Sequence, residues 1–210
     1  MNISNNIYDF VEIGTSDFDT EIQKATDITK GLSIEPVIYY LNRLPNKLNV
    51  KKLNCAITDF NGFIDFYHVP VENFGKSKNL RLPCWAKGCN TVNQYHHTIE
   101  KLILDKNLDP DEFFVKTVVE AKTLYTCLLE EKVETIKLLK IDTEGHDCVI
   151  LKKFAEEIIN NNSYYLLPEI IKFESNTLTN KKDVNEIKEI YINLNYYVKF
   201  SGGDTILQKK

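Results

Sequence analysis

Short apolar runs and longer apolar stripes take turns along the chain, and their two spacings separate strands from helices. Tyr8 to Ile13 (YDFVEI) reads as a buried strand, followed by a turn of Gly14, Thr15, Ser16 and Asp17 and a helix from Phe18 to Thr29. Leu32 to Glu35 is a second short strand. Pro36 suits the first turn of a new helix, and Pro45 limits its end. Lys51 to Ile57 predicts a third strand, and Asn61-Gly62 before Phe63 to Val69 predicts a hairpin return. Further on, Lys116 to Ala121 predicts a short strand, Thr123 to Glu131 a helix and Lys137 to Asp142 a buried strand. A helix from Glu144 to about Asn160 carries Val149, Ile150, Phe154 and Ile158 on its apolar face. Ile170 to Glu174 is the next strand, and Val184, Ile187, Tyr191 and Leu194 form a helical stripe. Tyr196 to Phe200 and Thr205 to Leu207 then close as a hairpin around Gly202-Gly203.

Alternating strands and helices of this kind predict an α/β fold, a doubly wound and mostly parallel sheet ending in an antiparallel strand. A single domain over residues 1–210 suits the length. Between Pro70 and Asp111 the pattern dissolves into a polar and aromatic excursion, too long for an ordinary connection, which is expected to be an active-site cover at 70–111.

Composition narrows the partners. A net charge of −4 and a pI near 5.7 offer no attraction to phosphate backbones, so nucleic acid is not expected. No apolar run approaches the roughly 20 residues of a membrane span. Five cysteines, an odd number, and an N-terminus without basic and apolar leader regions predict a reducing, cytoplasmic setting.

Ligands of open α/β sheets bind at the carboxyl ends of the strands, and three candidate features fall there. Asp142 ends an otherwise apolar strand, where an unpartnered carboxylate is costly to bury, and Glu144 and His146 follow at once. Thr15, Ser16 and Asp17 can cap a helix or offer hydroxyls and backbone N–H groups to an anionic or zwitterionic ligand. Glu35, with Pro36 after it, stands where a carboxylate accepts both hydroxyls of a ribose, or else simply starts a helix. Only one glycine, Gly14, lies in the first turn, so no G-x-G-x-x-G fingerprint is present. Adenosine recognition without that loop points to S-adenosylmethionine ahead of NAD.

FVEIGTSDFDT (Phe10 to Thr20), GLSIEPVIYYLNRLP (Gly31 to Pro45), NCAITDFNG (Asn54 to Gly62) and LLKIDTEGHDCVILKKF (Leu138 to Phe154) together resemble the FkbM-type family of S-adenosylmethionine-dependent methyltransferases. The resemblance runs from about Tyr8 to Lys209 and implies a seven-stranded Rossmann-like class I methyltransferase sheet, S-adenosylmethionine as cofactor, and O-methylation of a sugar or glycan hydroxyl. It also implies that Asp59, otherwise a turn residue, contacts the adenine amino group. LPCWAKGCNTVNQYHH resembles a W-x-x-G-C-N-[ST] loop of some relatives, with His96 matching.

Within that loop Trp85, Asn90, Asn93 and His96 suit a sugar, an aromatic face for its ring and amides for its hydroxyls. Glu12, beside Gly14, either pairs with a lysine or holds the methionine ammonium. Asp142 orients the methionine end or the acceptor, and His96, His146 and Glu144 are the candidate bases, His96 ranked above His146. Cys84, Cys89, His96 and His97 invite a zinc reading, disfavoured because the cysteines are too widely spaced, so no metal is expected. The alternatives are an NAD(P)- or nucleotide-sugar-binding enzyme on a similar sheet and a non-catalytic methyltransferase-like binding module.

Overall fold

The structure is a computed structural model that describes residues 6–92 and 94–210. In chain order the first elements are β1 (Ile7–Ile13), α1 (Glu21–Lys24), β2 (Gly31–Ile34), α2 (Ile38–Arg43), β3 (Val50–Leu53), β4 (Ala56–Thr58), β5 (Gly62–His68), β6 (Thr91–Val92) and α3 (His97–Leu104). They are followed by β7 (Val115–Thr123), α4 (Leu124–Glu130), β8 (Thr135–Ile141), α5 (Asp147–Asn160), β9 (Ile170–Glu174), α6 (Lys181–Asn193), β10 (Tyr196–Ser201) and β11 (Asp204–Lys209). No helix among the described residues is long and apolar enough to cross a membrane.

Seven strands form a mixed, mostly parallel sheet in the order β10-β11-β9-β8-β1-β2-β3. From β9 to β3 every pairing is parallel, whereas β11 runs antiparallel between β9 and β10. Helices cover both faces. Leu128, Leu151, Phe154, Ile187 and Tyr191 of α4, α5 and α6 join Val11, Leu139 and Ile171 in the main core, while Ile22 and Leu41 of α1 and α2 pack with Phe10 on the other side. In α5 the buried Ile150, Leu151, Phe154, Ala155 and Ile158 recur at helical spacing, which is why this segment is a helix lying on the sheet.

Several boundaries depart from the pattern of the sequence. The expected third strand is split. Asn54 Nδ2 donates to the carbonyls of Glu35 (2.9 Å) and Pro36 (2.8 Å), turning the chain after β3 so that β4 leaves the sheet. β4 pairs instead with β7 in a second, four-stranded sheet of order β4-β7-β5-β6. The first helix shrinks to one turn, since Asp19 holds a left-handed φ of 49° before it and Ala25 turns extended (ψ 140°) after it. Likewise α5 starts at Asp147, because Glu144 (φ 54°) and Gly145 (φ 95°) form a loop where a helical first turn was expected. The 70–111 segment has a core of its own, with Leu80, Leu82, Ala86, Cys89, Ile99 and Ile103 packed against Val69 and Phe113.

Candidate functional site

Gly14 sets the geometry of the carboxyl edge. Its N–H donates to Ile34 O (3.0 Å), the Asp142 N–H donates to Ile13 O (3.0 Å), and a Cβ on Gly14 would stand 1.9 Å from Asp142 O. With φ at +76° only glycine lets the turns after β1 and β8 cross so closely. Beside this crossing opens a cavity enclosing about 960 Å³ of empty space, open solvent at its mouth included.

Of the residues singled out by sequence, Gly14, Thr15, Ser16, Glu35, Pro36, Asn90, Asp142, Glu144 and His146 line this cavity. Glu35 is wholly buried and accepts from the backbone N–H groups of Thr15 (3.1 Å), Ser16 (2.8 Å) and Val37 (2.8 Å). Burial nevertheless pushes its pKa up to about 7. The Thr15 and Ser16 N–H groups therefore hold Glu35 in place, a role the turn was not expected to have.

Glu12 is outside the lining. Its two oxygens accept from the N–H groups of Glu21 (2.6 Å) and Ile22 (3.0 Å) and from Ser33 Oγ (2.6 Å), so it caps the first turn of α1. Asp17 is also turned away: it pairs with Arg43 Nε (2.6 Å) and with Lys87 Nζ (3.8 Å). With Ser16 Oγ donating to Lys87 O (3.4 Å), that pair docks the 84–90 loop on the first turn.

Carboxylates gather at the ends of β8 and β9. Asp142, Glu144 and Glu174 all line the cavity, while Asp147 lies behind them, accepting from the N–H groups of Thr143 (2.9 Å) and Glu174 (2.8 Å). Asp147 thus ties the loop after β8 to the end of β9. Desolvation and neighbouring carboxylates act on Asp142, Asp147 and Glu174. Burial, and then Glu144 and Asp142, push Glu174 up to about 8, and burial followed by Glu144 raises Asp142. Lys140, a cation within β8, donates to Asp19 O (2.6 Å) and also lines the cavity.

The histidines separate. His146 lines the cavity with Nε2 3.0 Å from Thr58 Oγ1, and burial lowers its pKa. The Thr58 hydroxyl donates to Asp59 Oδ1 (3.1 Å), so Nε2–H donates to Thr58 and Nδ1 is left as the acceptor. Asp59 itself is outside the lining. His96 is 3% exposed and sits behind the wall, its Nε2 3.1 Å from Glu144 Oε2. Trp85 is exposed and outside the lining, and Asn93 falls outside the described residues. The Cys84, Cys89, His96, His97 quartet does not assemble as read from sequence: Cys84 is exposed, and His97 borders a separate groove with Tyr67, Tyr95 and Glu100.

Sequence reasoning missed Phe18, Asp19, Lys140 and Glu174. Lys140 and Glu174 did carry a signal, since both are charged residues at or near the carboxyl ends of apolar strands, as Asp142 is.

The profile of the family described as "Methyltransferase FkbM domain" matches residues 10–198. A similar solved structure is that of methyltransferase FkbM from Methylobacillus flagellatus KT, at 13% identity and a TM-score of 0.48, with 96% of this chain and 43% of that one covered. The chain therefore spans less than half of that protein's length. No curated protein matches the sequence.

Proposed function

Because this chain belongs to the FkbM methyltransferase family, we propose that it moves the methyl group of S-adenosylmethionine to a hydroxyl oxygen of a sugar or glycan, on a sheet of the Rossmann-like class I type. One observation carries the reading. A single cavity at the carboxyl ends of β1, β2, β8 and β9 combines an apolar slot with a cluster of carboxylates that lacks enough positive charge.

The residues fit such a cofactor. Ile57, Phe66 and Val92 form an apolar wall for a flat base, and Glu35 and Pro36 flank the ribose position. Glu174 Oε2 and Asn90 Oδ1 are buried without a partner among the described residues. Burial and mutual repulsion raise Asp142 and Glu174, and the methionine ammonium and the sulfonium are positive groups that would favour their ionised forms. When bound, the cofactor supplies an electrophilic methyl carbon. Asp142 orients its amino-acid end, and His146 takes the proton from the acceptor hydroxyl. The lowered pKa keeps His146 neutral near pH 7, the state a base requires, and the Nε2–Thr58–Asp59 chain holds its orientation. Segment 70–111 serves as the cover that contributes Gly88 and Asn90.

Calorimetric titration with S-adenosylhomocysteine tests the reading, run beside NAD and beside a Glu35→Ala variant. Micromolar binding that weakens in the variant is expected. Binding of NAD instead, or no binding of S-adenosylhomocysteine at millimolar ligand, would overturn it, and binding without methylation of any polyol acceptor would favour a binding module.

A further inference from the structure

Cys89 and His96 approach the cavity from behind its wall. They are 5% and 3% exposed, and neither lines the cavity, whereas Glu144 does. The three nonetheless bring one sulfur, one imidazole nitrogen and one carboxylate oxygen within 4.8 Å of one another. A tetrahedral ion with bonds of about 2.0–2.3 Å has donor–donor edges of roughly 3.3–3.8 Å, so small side-chain movements close this set around one centre. We propose that Cys89, His96 and Glu144 bind a divalent ion of the zinc class, with its fourth coordination position on the side where Glu144 meets the cavity.

The donors are otherwise unspent. Among the described residues the Cys89 sulfur makes one hydrogen-bond contact, at 3.9 Å to Trp85 O. His96 Nδ1 is buried with no partner among the described residues, although a buried ring nitrogen ordinarily has one. Among the described residues the hydrogen-bond partner of His96 Nε2 is Glu144, the third donor. The surroundings are acidic as well: Asp142 and Glu174 line the cavity beside Glu144, while Lys140 is committed to Asp19 O. An ion with two positive charges is balanced by one thiolate and one carboxylate, the thiol proton leaving to solvent on binding.

Ligand type selects the metal. A thiolate with an imidazole favours zinc over magnesium or calcium, which take oxygen donors. Three protein ligands with one open position are also the pattern of reactive zinc sites, whereas structural sites close all four. The site stands apart from the methyl-transfer reading. Only its consequence rests on that reading: an acceptor hydroxyl bound at the open position becomes more acidic.

Cobalt(II) is the probe, added to the full chain after chelator treatment. One tightly held equivalent is expected, with a thiolate-to-cobalt charge-transfer absorption that zinc displaces. Cys89→Ser should abolish the band, His96→Asn and Glu144→Gln should each weaken binding at least about tenfold, and Cys84→Ser should leave it unchanged. No stoichiometric binding by the wild type, or a band that survives Cys89→Ser, would overturn the proposal. Should Cys89→Ser fail to fold, Glu144→Gln decides, and unchanged affinity there overturns it. The readout requires neither cofactor nor acceptor, so loss of the methyl-transfer reading and loss of the metal site are seen separately.

Discussion

The two sheets meet one cavity with opposite equipment. The seven-stranded sheet presents its carboxyl edge, and from strand ends and the turns after them come Asp19, Glu35, Lys140, Asp142, Glu144 and Glu174, the acidic and lysine side chains of the lining. The four-stranded sheet presents a face carrying Ala56, Phe66 and Val92, with Ile57 of its edge strand β4 beside them. An edge ends in turns that can carry charged side chains into solvent or ligand, whereas a sheet face packed against a neighbour has to be apolar. On the proposed function, the first sheet supplies the chemistry and the second supplies shape and exclusion of water.

That division has a direct test. Asp142→Ala should cut methyl transfer by about 10³-fold or more, whereas Val92→Ala on the opposite wall should cost about tenfold or less, mainly in cofactor affinity. Steady-state kinetics with S-adenosylmethionine separates the two. Equal losses in both variants, or near-normal turnover in Asp142→Ala, would erase the distinction.

Stability against pH separates the sheets a second way, since Glu35 belongs to the edge of the first. Its folded pKa of about 7 lies above the ordinary carboxyl value of 4.5, so between those values the folded chain keeps a proton that the unfolded chain has lost. Its contribution is fully present below about pH 4.5 and is lost as pH rises through about 7, the reverse of a salt-bridged carboxylate. From a raised pKa of this size the loss is roughly 3 kcal/mol. Urea unfolding across that range should show a wild-type decline that Glu35→Gln flattens by about this amount. A parallel decline in both proteins would mean that Glu35 titrates normally.

The sheets also differ in how far they could be read from the sequence. In the first, the inner strands β1, β2, β8 and β9 are largely apolar runs bounded by turn residues, and β9 falls where the pattern put it. In the second, β5 and part of β7 were legible as strands, but their half-exposed pattern did not reveal that they form a sheet of their own with β4 and β6. In β7 the burial alternates weakly, and Val118 is 66% exposed, so only a fragment looked like a strand. β6 has two residues and no pattern at all. At the site, Asp142 and Glu35 were legible because a carboxylate closing an apolar strand is conspicuous. The pairings of Glu12 with α1 and of Asp17 with Arg43 and Lys87 were not, because they depend on a one-turn helix and on the path of the 84–90 loop. Local pattern contains neither.

The separate core of the 70–111 segment predicts separate cooperativity. Ile103 is fully buried among Val69, Leu80, Ile99 and Phe113, and Ile103→Ala should cost about 2–4 kcal/mol through the cavity it leaves. Hydrogen exchange should then rise in α3 and the 84–92 segment while β1, β8 and β9 stay protected. Equal deprotection of the first sheet would show that the two cores melt as one.

The smallest effect lies at the join between the regions. Lys87 reaches Asp17 across 3.8 Å from a partly exposed position, while Arg43 already holds the same carboxylate at 2.6 Å. A second cation at longer range in a screened setting contributes about 1 kcal/mol at most. Lys87→Ala should therefore leave the unfolding midpoint almost unchanged. Docking of the 84–90 loop is a different quantity, because Ser16 Oγ and Asp17 are its polar links to the first turn and the Ser16 contact is long, at 3.4 Å. Local exchange in residues 84–90 should rise by a few fold, up to about fivefold for 1 kcal/mol, with S-adenosylhomocysteine affinity falling in step. Unchanged local exchange would mean that Phe18, packed against Gly88, is enough to seat the loop. The join would then be apolar on both sides, and the charged groups of the first sheet would serve the ligand alone.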